Sequence, residues 1–109
     1  MGTLSLYVFL LLRELMNVIG KRLLEEFKNK HSDVRAQINS WLCEAEEAQW
    51  ACPNDIKSRY SSASFLANNI VVFNIKGNDY RLAMKIYYDK EMVLIKKIGT
   101  HAEYSKWKF

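Results

Sequence analysis

The 109-residue sequence predicts one α+β domain: two helices first, then a small antiparallel sheet that ends in a short helix. Three observations predict it. Apolar residues recur at helical spacing up to about Ala48, the period changes to two from Ile70, and a helix-capping pattern follows Gly99. Composition agrees with a packed chain, since 50% of the residues are hydrophobic and only one is Pro.

Asn17 to Gly20 is a short apolar stretch suited to a strand that could join the sheet. From Lys21, the residues Leu23, Leu24 and Phe27 fall on one side of a first helix. Ser32 is the expected N-cap of a second helix, with Asp33 in its first turn. Val34, Ile38, Trp41, Leu42 and Ala45 form its apolar stripe, opposite Arg35, Gln37, Asn39 and Glu46. Gln49 to Ser64 contains Pro53, scattered serines and no period, which predicts a long loop. Pro53-Asn54-Asp55 starts a turn or a short helical turn there, and Lys57, Arg59 and Tyr60 follow in the same loop. Trp50 is expected to pack over the helix end, and Trp41 to lie in the core.

Val71, Phe73 and Ile75 then alternate with polar or smaller residues, and after Gly77-Asn78 so do Tyr80, Leu82, Met84, Ile86 and Tyr88. Gly-Asn between two such runs signals a two-residue hairpin loop. That loop pairs Ile75 with Tyr80, Phe73 with Leu82 and Val71 with Met84 on an apolar face, and Asn74 with Arg81 and Val72 with Ala83 on the other. A slip by one residue would bring Arg81 and Lys85 beside Phe73 and Val71, so the sequence selects the first register. Met92 to Ile98 is a third strand in which neither register sorts the side chains, leaving Lys96 and Lys97 without a face. Gly99 ends it. Thr100 and Glu103 then fit the capping box of a short helix expected to run through Tyr104 and Trp107.

The charge is uneven. Residues 71–109 hold eight Lys/Arg (76, 81, 85, 90, 96, 97, 106, 108) against four acids (79, 89, 91, 103), whereas residues 1–70 hold eight of each. A basic sheet suits a polyanionic partner such as a nucleic-acid backbone. The acidic window from Ala36 to Ile56 reads first as a solvated helix face, and it could also keep RNA off the helices and confine it to the sheet. Cys43 and Cys52 stand nine positions apart with no His at metal-ligand spacing, which points to reduced thiols in a cytoplasmic protein, with Cys43 as a small buried helix residue. The apolar run Leu4 to Leu12 is nine residues long, against the roughly 20 that a membrane span needs. No Lys or Arg precedes it and no small-residue cleavage site follows, so we expect residues 1–15 to be an extension of a domain spanning residues 16–109, with no membrane association.

Ser64-Phe65, the run VFNIKGNDYRL and the run GTHAEY, with Pro53-Asn54-Asp55-Ile56-Lys57 before them, resemble the HigB-type toxins of bacterial toxin–antitoxin modules, within the RelE-like superfamily. The resemblance covers about Met16 to Lys106, and the short opening strand at Met16 to Ile19 fits it. It implies a RelE-like fold and an mRNA interferase, an endoribonuclease that cuts messenger RNA on the ribosome. It also implies a cognate HigA-type helix-turn-helix antitoxin that holds the toxin inactive in a hetero-oligomer.

Metal-free RNA cleavage requires activation of the ribose 2′-OH, stabilisation of a charged phosphorane and protonation of the leaving 5′ oxygen. The chain has no clustered carboxylates, no His pair and no Cys/His constellation, so neither a metal nor a cofactor is expected. Arg81, beside Asn74, is the first candidate, because a planar guanidinium can grip a phosphate through two hydrogen bonds. His101 follows: at the first helical position the dipole favours a neutral imidazole able to act as base, and the helix start could itself receive a phosphate. Tyr104 could stack on a base, donate a proton or pack on the sheet. The resemblance adds Lys57 as an assisting cation at the scissile phosphate, with Arg59 beside it. Asn74, Lys76, Lys85, Lys96 and Lys97 are expected to contact the RNA backbone. The competing expectations are a non-catalytic RNA- or ribosome-binding module and a small membrane-associated protein.

Overall fold

The computed structural model describes residues 15–109, so the apolar run Leu4 to Leu12 and most of the expected extension lie outside the described residues. A strand β1 (Asn17–Ile19) leads into helices α1 (Lys21–Lys30), α2 (Arg35–Glu47) and α3 (Pro53–Arg59). Strands β2 (Ser64–Phe65), β3 (Ile70–Ile75), β4 (Tyr80–Tyr87) and β5 (Met92–Thr100) follow, then one helical turn, α4 (His101–Tyr104). The sheet order is β1-β5-β4-β3-β2. It is mixed and not wholly antiparallel, because β1 runs parallel to β5, with Val18 opposite Val93.

The hairpin register is the one that the alternation selects: Ile75 opposite Tyr80, Phe73 opposite Leu82, Asn74 opposite Arg81 and Val72 opposite Ala83. The turn closes with the Asp79 amide donating to the Lys76 carbonyl at 3.2 Å, and Gly77 takes a φ of +64° that other residues adopt only under strain.

This register divides the sheet into two unlike faces. Phe73, Leu82, Met84, Ile86, Val93 and Ile95 point one way and are covered by Leu24 and Phe27 of α1, Ile38, Trp41 and Ala45 of α2, and Ile56 of α3. Ile70, Val72 and Ala83 point the other way and, among the described residues, are covered by Tyr104 and Trp107. That cover needs Gly99, because a Cβ there would stand 2.9 Å from the Trp107 ring and 3.1 Å from a Glu103 carboxylate oxygen. Among the described residues no helix is long and apolar enough to cross a membrane.

Several expectations change. Ser32 makes no capping bond; Ser32–Val34 is a 3₁₀ turn, and the Asp33 carboxylate is engaged by Tyr80 and Lys76 instead of α2. The long loop contains a seven-residue helix, α3, with Pro at its start where its missing N–H costs nothing. It also contributes the edge strand β2. Trp50 is a core residue, stacked on Phe73 at 6.1 Å. Leu23 is 39% exposed, and Cys43 is exposed and unbridged, not a buried hydrophobe. The final helix stops at Tyr104, so Trp107 reaches the sheet from the tail beyond it.

Strand β5 resists a single alternation because it carries a bulge. Ala83 pairs with Lys97 and Met84 with Ile95, which leaves Lys96 without a partner across the ladder. Val93 and Ile95 face the helices before the bulge. After it the phase reverses, and Lys97, opposite Ala83, lies on the open face.

Candidate functional site

Arg81 lies on the open face of the central strand, yet only 8% of its surface is exposed. Its Nη1 donates to the carbonyls of Asn78 at 2.9 Å and Tyr80 at 3.2 Å. Its Nη2 is 3.3 Å from His101 Nδ1, and the guanidinium lies 5.5 Å from the centre of the Tyr104 ring. No carboxylate pairs with it among the described residues. The other buried cation, Lys28, bonds Glu25 at 2.6 Å and Asn39 at 2.6 Å. A buried cation held only by carbonyl dipoles, an imidazole and a ring face has unmet electrostatic demand, which an incoming anion would satisfy.

The capping box sets His101 in place. The Thr100 amide donates to Glu103 Oε1 at 2.8 Å, and the Glu103 amide donates to Thr100 Oγ1 at 3.2 Å. The first of these bonds is the main reason that the Glu103 carboxyl is held below its ordinary range. The His101 amide donates to Asp79 O at 3.0 Å. These bonds overturn the expectation of a phosphate at the helix start, because the amides of Thr100, His101 and Glu103 are already engaged. The dipole argument for His101 weakens too, since one turn sums few peptide dipoles.

His101 Nδ1 also stands 3.3 Å from the Asn78 carbonyl. An arginine only donates and a carbonyl only accepts, so the two contacts require opposite tautomers of the ring. With Arg81 donating to Nδ1, the proton sits on Nε2; with Nδ1–H donating to Asn78, Nε2 is a free base. Asn74 Nδ2 is 3.3 Å from Asn78 Oδ1. Arg81, His101, Tyr104 and Asn74 thus converge at one end of the open face. Asn78, whose carbonyl and side chain serve three of these contacts, carries no catalytic functional group, and its turn position gave no sign of the role.

The remaining candidates separate into two groups. Lys85 and Lys97 lie on the open face and Lys96 at the bulge beside them. Lys57, Arg59 and Lys76 stand apart. The Lys57 ammonium donates to Ala63 O at 3.1 Å and lies 5.9 Å from the Phe65 ring, beside the helical layer. Arg59 pairs with Glu44, whose other oxygen accepts the Tyr60 hydroxyl. That hydroxyl, more than Arg59, holds the Glu44 carboxyl below its ordinary range, while burial and then Glu44 push the Tyr60 phenol up. Lys76 pairs with Asp33 at 3.0 Å, and the Asp33 carboxyl is lowered first by the Tyr80 hydroxyl and then by Lys76.

A cleft of about 330 Å³ between α2 and the end of β3 is lined by Trp41, Glu44, Arg59, Tyr60, Asn74 and Lys76 among others. Its two cations both carry carboxylate partners, so it attracts a polyanion less than the open face does. Among the described residues, no group of three or more His, Cys, Asp or Glu side chains is placed to hold a metal ion.

No curated protein matches the chain. The family model for HigB toxins, the RelE-like toxic component of a toxin-antitoxin system, matches residues 34–107, about two thirds of the sequence. This span takes in the helical layer from Val34, the hairpin, the bulged strand and the capped turn. Such a toxin has an antitoxin as its partner, and the five-stranded α+β architecture agrees with a RelE-like fold. The chain belongs to the HigB toxin family.

Proposed function

We propose that the toxin acts as a metal-independent endoribonuclease, an mRNA interferase that cuts messenger RNA on the ribosome and is silenced by a HigA-type helix-turn-helix antitoxin in a hetero-oligomer in the cytoplasm. The domain that does this spans residues 16–109. The observation that carries the proposal is the buried Arg81 guanidinium, which has no carboxylate partner among the described residues and touches the His101 imidazole on the open face.

In this proposal the scissile phosphate approaches the Nη2 side of Arg81, because Nη1 is occupied by the two carbonyls. When Nη2 turns from His101 to the phosphate oxygen, the ring changes tautomer through solvent: Nε2 gives up its proton, Nδ1 takes one and donates it to Asn78 O, and Nε2 is left as base. Nε2 takes the proton of the 2′-OH, and the 2′ oxygen attacks phosphorus. The phosphorane charge falls beside the guanidinium, where a fixed cation is worth most. The P–O5′ bond then breaks and the 5′ oxygen takes a proton, leaving a 2′,3′-cyclic phosphate and a 5′-hydroxyl. Tyr104, with its ring against Arg81, supplies that proton or stacks on the adjacent base. Lys85, Lys96 and Lys97 hold the RNA backbone by charge, while Lys57, Arg59 and Lys76 contribute from outside the reacting cluster.

The test is inducible expression of residues 16–109 and of an Arg81→Ala/His101→Ala double variant, with mapping of new 5′ ends in messenger RNA. The proposal expects growth arrest and new 5′-hydroxyl ends with the parent and neither with the variant. Arrest without new ends would favour the non-catalytic RNA- or ribosome-binding module.

A further inference from the structure

We propose that a second cleft at the far end of the open face is a subsite for a nucleotide of the substrate RNA outside the reacting bond, a proposal that rests on the nuclease function above. The cleft holds about 400 Å³, and its lining includes Lys85, Lys96, Lys97, Lys108, Ile70 and Phe109. No acidic side chain lines it, and among the described residues none of the four lysines forms an ion pair. Four ammonium groups around one cavity repel each other, and a phosphate relieves that repulsion.

The bulge makes this convergence possible. Consecutive residues of a regular strand point to opposite faces, so Lys96 and Lys97 would diverge. With Lys96 left unpaired, both line the same cleft. Aromatic rings accompany the cations. The Lys97 ammonium lies 5.8 Å from the Trp107 ring and 5.7 Å from the Phe109 ring, and Lys85 lies 5.3 Å from Tyr87. Phe109 is 52% exposed, an apolar ring open to solvent among four cations. Phosphate on lysines with a base on an aromatic face is how single-stranded nucleic acid is held without sequence readout.

Arg81 and Lys85 share one face of β4 four positions apart, roughly 13 Å at the rise of a strand. That separation is too long for one phosphate and suits another along the same extended RNA. Lys108 and Phe109 lie past residue 107, the last that the family model matches.

The test measures binding of a fluorescein-labelled single-stranded RNA to the full chain carrying His101→Ala, with and without Lys85→Gln/Lys96→Gln/Lys108→Gln, across a salt series. The triple change should weaken binding at least about tenfold at low salt and flatten the slope of log K against log salt by about 2, from about 0.7 per lost phosphate contact. Phe109→Ala, as a second variant, should weaken binding with the slope unchanged. Because these side chains lie at the surface, unfolding midpoints should match that of the parent. An unchanged affinity and slope would overturn the subsite, and so would loss of antitoxin binding with RNA binding intact. Lysine dependence seen with vacant ribosomes but not with the oligonucleotide would overturn the assignment to the substrate strand. A chain with His101 intact that binds RNA with this lysine dependence yet cuts none, free or translated, would overturn the nuclease proposal and leave the subsite supported.

Discussion

The two faces of the sheet differ in how their cations are partnered, although Lys57 and Arg35 on the helical side also meet a carbonyl and, among the described residues, no carboxylate. On the helical side Lys21, Lys28, Arg59 and Lys76 each pair with a carboxylate, from Glu46, Glu25, Glu44 and Asp33 respectively. On the open side Arg81, Lys85, Lys96 and Lys97 have no such partner among the described residues; Arg81, Lys85 and Lys97 meet carbonyls, an imidazole or aromatic rings instead. A count of charges along the chain finds the basic half but not this division. Partnering, more than abundance, marks the surface that an anion would occupy.

The comparison breaks most severely at the helical face. Phe73 is 1% exposed and packs against Trp41, Trp50 and Tyr60, so Phe73→Ala should cost about 3–5 kcal/mol in a denaturant titration. Any loss of toxicity would then follow from lost fold. Arg81→Lys keeps the charge but loses the fork that the Asn78 and Tyr80 carbonyls hold, and should slow RNA cleavage about 10²-fold in single-turnover kinetics.

Thr100→Ala removes one arm of the capping box and should destabilise by about 1 kcal/mol. It should also lower the cleavage rate, because His101 is the next residue, and Thr100→Ser should restore both. The smallest effect is a change of slope. The carboxyls of Asp33, Glu44 and Glu103 are all lowered in the folded chain, so their stabilisation is present above the ordinary carboxylate range near pH 4 and is lost as pH falls through the lowered values. Asp33→Asn should therefore flatten the acid limb of a stability–pH profile and leave the neutral limb in place.

Much of this was legible from local patterns. The hairpin register followed from alternation and a Gly-Asn turn, and the capping box from Thr100 and Glu103, so Arg81 and His101 could be placed before the fold was known. Lys96 and Lys97 could not, because a bulge is one residue of phase error that only pairing with β4 reveals. The engagement of Arg59 and Lys76 was equally hidden, since their carboxylates lie 15 and 43 residues away in the chain. The burial of Arg81 depended on Tyr104 folding back over the sheet past Gly99, a contact no strand pattern encodes.

The most direct test of the central claim is a single-turnover comparison of messenger RNA cleavage during translation in vitro. The purified toxin would be compared with its Arg81→Lys variant on the open face and with Lys21→Ala, which loses the exposed ion pair with Glu46 on the helical side. An active centre on the open face predicts a loss of about 10²-fold for Arg81→Lys and a rate within about twofold of the parent for Lys21→Ala. Equal rates for Arg81→Lys and the parent, with both folded, would contradict it.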